Sequence, residues 1–76
     1  MIQEHYCVIL SQDLPEEGLK AGDIGTVDHI HNGGASYEVE FMTLAGETVP
    51  IAMLLPAQVR SIAKRDIAHV RELQTA

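Results

Sequence analysis

Residues 36–42, SYEVEFM, alternate: Tyr37, Val39 and Phe41 fall on one side, Glu38 and Glu40 on the other. A period of two predicts a strand with one buried face, and this is the clearest strand in the chain. His5–Ser11, HYCVILS, is a nearly continuous apolar run closed by polar residues. Its length and β-branched content predict a strand covered on both faces. IGTVDHIH (24–31) and TVPIAML (48–54) read as two more strands. Pro50 lacks an N–H to donate, so the latter belongs at a sheet edge or a bulge. VRSI (59–62) predicts a short closing strand.

The segments between carry turn chemistry. QDLPEEGLKAGD is acidic and broken by Pro15, Gly18 and Gly22. It predicts a folded excursion that packs its own Leu14 and Leu19. NGGA (32–35) supplies residues that tolerate the positive φ of a hairpin turn, and TLAGE makes the next turn. LPAQV predicts a single 3₁₀ turn started by Pro56. Gly25 inside the second strand predicts a bulge or a close backbone approach, letting that strand bend. The tail AKRDIAHVRELQTA contains no Gly or Pro and spaces Ile67, Val70 and Leu73 three apart. That spacing predicts a short amphipathic helix, Arg65 to Gln74. Its stripe has to be buried on the chain's own body or on a second copy. The first is preferred, because successive elements usually pack side by side.

Five short strands, one long loop and a 3₁₀ turn before the last strand give the expected fold class. It is mainly β: a small SH3-like five-stranded barrel over residues 1–63, with a helical tail over 64–76 in the same domain. The run "GLKAGDIGTV … YEVEF … LP" resembles a family of short bacterial domains of unknown function with an SH3-like architecture. The resemblance covers roughly residues 5–60 and omits the tail. A looser likeness extends to KOW-type modules and to accessory subunits of photosynthetic electron-transfer complexes. These likenesses imply docking onto larger partners, by analogy of fold alone.

Charge narrows the partners. Residues 1–55 carry a net charge of −8 and residues 56–76 carry +2, for −6 in 76 residues. Phosphates need a basic face, so the body does not read as a nucleic-acid binder. Two Tyr, one Phe and no Trp leave neither a stacking platform nor an aromatic proline-peptide groove once the core is filled. No apolar run is long enough to span a bilayer, and no secretory signal pattern is visible. A single cysteine, Cys7, allows no internal disulfide. The expected setting is the bacterial cytoplasm, with no membrane partner.

Three constellations could carry chemistry. His29 and His31 share a strand face, and a hairpin centred on Gly33–Gly34 sets His29 opposite Glu38 and His31 opposite Ser36. Two imidazoles and a carboxylate could bind a divalent metal, so His29, His31 and Glu38 form the candidate metal site. The plainer reading is a polar face with a cross-strand His–Glu pair. His5 and Cys7 also share a face, but no orienting group or oxyanion site accompanies them. Cys7, among Val8, Ile9 and Leu10, reads as a small buried hydrophobe. The Glu16–Glu17 and Glu38–Glu40 pairs read as solvated carboxylates rather than catalytic ones. The glycines lack phosphate-loop spacing.

The functional expectation is a non-catalytic interaction or regulatory module that binds a larger protein with a basic surface. It needs no cofactor and is a monomer or homodimer. In a two-component bacterial operon it would restrain or stabilise its partner. The alternative is a metal- or small-ligand-binding protein using His29 and His31, and an enzyme is the least favoured class. The partner-binding residues are not fixed by the sequence.

Overall fold

Alternation and turn chemistry translate directly into strands. The computed structural model describes residues 2–73 and contains β1 (Cys7–Leu10), β2 (Ile24–His31), β3 (Ser36–Met42), β4 (Thr48–Leu54) and β5 (Val59–Ser61). Two 3₁₀ turns, Pro15–Glu17 and Pro56–Gln58, accompany them. The strands form one antiparallel sheet in the order β4-β3-β2-β1-β5, so β4 and β5 are its edges.

Local chemistry explains each corner. Asn32, Gly33 and Gly34 all take positive φ, and the N–H groups of Gly34 and Ala35 both donate to the His31 carbonyl. Gly18 ends the first 3₁₀ turn in the left-handed region at φ 72°, where a side chain would be strained. The excursion is folded as expected: Leu14 and Leu19 bridge to each other, and Leu19 is buried in the core. The Gln58 side chain accepts the Leu55 N–H at 2.7 Å and closes the second 3₁₀ turn.

Val8, Leu10, Val27, Val39, Phe41 and Leu54 form the heart of the core, and Tyr37 packs against it. The Tyr37–Val39–Phe41 face therefore points inward as its alternation predicts. Gly25 faces Phe41 across the β2–β3 pair. A Cβ at Gly25 would lie 2.5 Å from Val39 Cγ1 and 2.9 Å from Phe41 Cε2. The glycine is the space that these two side chains fill.

Two bulges shape the sheet. On β4, Ile51 opposes Glu40 and Thr48 opposes Met42, so Val49 and Pro50 together oppose Phe41. Pro50 thus sits on an edge strand and in a bulge, the two places a missing N–H is tolerated. On β2, Val27 opposes Val39 but His29 opposes Glu38, leaving Asp28 as the extra residue. The extra residue reverses the facing of the rest of β2. Val27 points into the core, yet Ile30, three residues on, packs against the core too, opposite Tyr37. His29 and His31 are thereby sent to the outer face.

Two expectations are corrected. Cys7 is exposed rather than buried, because it opens β1 beside an open depression that it shares with Ser61 and Ile62, while Val8, Ile9 and Leu10 are buried in succession. The tail contains no helix among the described residues, and Gln74–Ala76 lie outside them. Ile67 and Val70 are 91% and 72% exposed. A helix of about ten residues does not repay its nucleation cost in water without a surface to pack on. Arg–Asp pairs hold the tail instead. Asp66 accepts both guanidinium nitrogens of Arg60, at 2.8 and 3.0 Å, and the Ala63 N–H at 2.6 Å. These local bonds compete with helical ones. Arg71 forms a second fork on Asp23, at 2.8 and 2.6 Å, and also donates to the Gly18 carbonyl.

Both aspartates are tuned by these forks. Burial pushes the Asp23 carboxyl up, but hydrogen bonds from Arg71 and the Lys20 N–H, with the nearby positive charges, bring it below the ordinary value. The Arg60 hydrogen bonds, then the Ala63 N–H, pull Asp66 down to about 2. A lowered carboxylate pKa contributes stability above the ordinary value, lost as pH falls through the folded value. The tail is therefore expected to stay pinned at neutral pH and to let go in acid, between about pH 4 and pH 2 for the Asp66 fork. Carboxyl carbon shifts followed by NMR check this. Midpoints for Asp23 and Asp66 at the ordinary aspartate value of about 3.9 would mean that the forks do not form in solution.

Candidate functional site

The bulge at Asp28 and the hairpin at Asn32–Ala35 together bring the predicted metal residues to one corner of the outer face. His29 lies opposite Glu38 and His31 opposite Ser36, the predicted register. The contacts, however, run diagonally. His31 Nε2 hydrogen-bonds Glu38 Oε2 at 2.9 Å, and His29 Nδ1 lies 3.3 Å from Glu4 Oε2. The two imidazoles meet edge to face with centroids 4.4 Å apart. The result is a chain, Glu4–His29–His31–Glu38, in which each ring faces its own carboxylate. Among the described residues, no group of three or more His, Cys, Asp or Glu side chains is arranged to hold a metal ion. Glu4 is the member of this chain that sequence reasoning missed, because it precedes β1 and no strand periodicity reaches it.

His5 and Cys7 flank an open depression of about 530 Å³ shared with Tyr6, Ser61 and Ile62. His5 takes φ 71° and donates its N–H to the Val27 carbonyl at 2.7 Å, fixing the chain as it enters β1. Glu16 and Glu17 lie exposed in the first 3₁₀ turn. A second depression, of about 300 Å³, lies beside the Arg71–Asp23 fork and is lined in part by Asp13, Leu19 and Lys20.

The outer face of β3 and β4 is a further feature that periodicity did not single out. Ile51 opposes Glu40 and Met53 opposes Glu38, so each of these two outward-facing apolar residues of the edge strand has an acid beside it. Ile51 and Met53 are 56% and 59% exposed, and Met42 on the same face of β3 is 50% exposed. Leu55 and Leu44 lie exposed near the ends of β4. Glu40 accepts the Thr48 hydroxyl at 2.9 Å, which holds its carboxylate against the face. In IAMLL the residues at 51, 53 and 55 alternate with the buried Ala52 and Leu54. The signal that this strand is apolar on both faces was present in the sequence.

A sequence profile described as Domain of unknown function (DUF4926) matches residues 4–61, more than half of the chain. The chain belongs to this family. The match begins at Glu4 and ends with β5, so it takes in the whole sheet and the His–Glu chain. The tail and its two aspartate forks are completed beyond it. No curated protein and no solved structure matches the chain. No helix of the described residues is long and apolar enough to cross a membrane.

Proposed function

We propose that this domain is a non-catalytic interaction module that binds a larger protein through the outer face of β3 and β4. The observation that carries the reading is the row of exposed Ile51 and Met53 paired with Glu40 and Glu38. Isolated exposed aliphatic residues are ordinary, but a contiguous apolar strip on an edge strand is a common mark of an interaction surface. β4 is an edge of the sheet, where an extended segment can pair. The adjacent carboxylates select a partner with basic residues among its apolar ones, and the net charge of −6 steers such a surface toward it.

The finer fold assignment belongs to the same proposal. The strand order, the long folded first loop, the 3₁₀ turn before β5 and the space at Gly25 support an SH3-like barrel. Small barrels of this kind serve as docking parts, and a bacterial cytoplasmic operon partner fits the domain's size and charge. The test uses two baits in extracts of the native host, the wild-type chain and Ile51→Thr/Met53→Thr. Threonine keeps strand propensity and removes apolar surface. A protein retained by the wild type and lost from the variant is the expected result. A protein retained equally by both places the binding surface elsewhere.

A further inference from the structure

Two surfaces of this chain are left unpartnered, and they complement each other. One is the acidic, apolar outer face of β3 and β4. The other is the tail, in which Ile67 and Val70 stand exposed between two fixed points: Asp66 is clamped by Arg60, and Arg71 is clamped on Asp23. The forks tie both ends of the short segment that carries these two exposed aliphatic side chains. A segment already tied at both ends loses little freedom on binding. Immediately before it come Lys64 and Arg65, which make no ion pair among the described residues. The tail thus offers two cations beside two aliphatic side chains, and the sheet face offers two carboxylates beside two aliphatic side chains.

The chain's own tail does not serve its own face. Ile67 and Val70 stay exposed, and Arg71 ties the tail to Asp23, just before β2. We infer that the tail segment of one copy docks on the β3–β4 outer face of a second copy, with Lys64 and Arg65 against Glu38 and Glu40, and Ile67 and Val70 against Ile51 and Met53. Reciprocal exchange of these contacts closes a two-fold dimer. This rests on the docking face proposed above, with a second copy as its occupant when no other partner is present.

Charge reversal tests it with the full-length chain. Lys64→Glu/Arg65→Glu alters only the exposed tail, while Glu38→Lys/Glu40→Lys reverses the face and also removes the His31–Glu38 and Thr48–Glu40 hydrogen bonds. Light scattering of the wild type at ~100 μM is expected to give about twice the 8.3 kDa chain mass, falling on dilution. Each variant alone is expected to be monomeric, with thermal melts confirming that it is folded. Mixing the two restores the dimer, because each tail then meets a face of opposite charge at both contacts. Should the face variant fail to fold, the tail variant carries the test alone: its mass at ~100 μM must be that of one chain. A wild-type chain that stays monomeric at ~100 μM overturns the inference. So does a dimer that survives the tail reversal, since its contacts would lie elsewhere. Neither outcome touches the docking face itself, which the Ile51→Thr/Met53→Thr bait tests separately.

Discussion

Phe41→Ala is expected to destabilise the domain by about 3–5 kcal/mol, the usual range for emptying a buried phenylalanine site. Phe41 is the only phenylalanine, is 3% exposed and belongs to a core whose other buried residues are aliphatic. Its ring also fills the space opposite Gly25. A domain of this size commonly holds only about 5–15 kcal/mol in total, so the variant stands at the limit of folding. Urea unfolding followed by circular dichroism reads the effect. Glu38→Gln and Glu40→Gln, on the other face of the same strand, are the controls, with expected changes within about 0.5 kcal/mol. A Phe41→Ala midpoint equal to that of the wild type would mean that β3 faces the other way.

Gly25→Ala carries the second large effect, and its sign is the point. Replacing glycine by alanine usually stabilises by about 0.4–1 kcal/mol where the backbone permits it, by restricting the unfolded chain. The backbone at Gly25 permits alanine, since its φ is not positive. The space does not. The added methyl would meet Val39 Cγ1 at 2.5 Å, Phe41 Cε2 at 2.9 Å and the Glu40 carbonyl at 3.1 Å. Val39 is β-branched and fully buried, so it cannot swing aside. Overpacking of this kind typically costs about 1–3 kcal/mol. Val39→Ala should relieve it, so the double variant is expected to lose less stability than the two single variants together. A Gly25→Ala domain as stable as the wild type would show that β2 and β3 lie farther apart at Gly25 than these contacts require.

The sheet was legible in the sequence wherever structure is local. β2, β3 and β4 run over the residues that alternation and turn chemistry mark, because NGGA, TLAGE and Pro56 fix their ends without help from distant contacts. Pro50 pointed correctly to an edge strand and a bulge. The bulge at Asp28 was also written there, unread: Val27 and Ile30 cannot share a face of a regular strand, and both pack in the core. The candidate His–Glu cluster was assembled as predicted in register but with a different pairing, because side chains reach diagonally and Glu4 enters from outside the hairpin. The tail was the failure. Its three-residue apolar spacing describes what a helix would look like, not whether anything is present to bury it. The deciding contact, Arg71 on Asp23, spans 48 positions and leaves no mark on any local window.

The interaction surface is tested most directly by NMR, adding the partner captured by the wild-type bait to the labelled domain. The amide signals of Glu38, Glu40, Ile51 and Met53 are expected to move or broaden together, while those of Val8 and Val27 in the core stay in place. Changes confined to the His5–Cys7 and Ser61–Ile62 depression, or to the loop from Asp13 to Lys20, with the β4 signals unmoved, would contradict the assignment of the β3–β4 face.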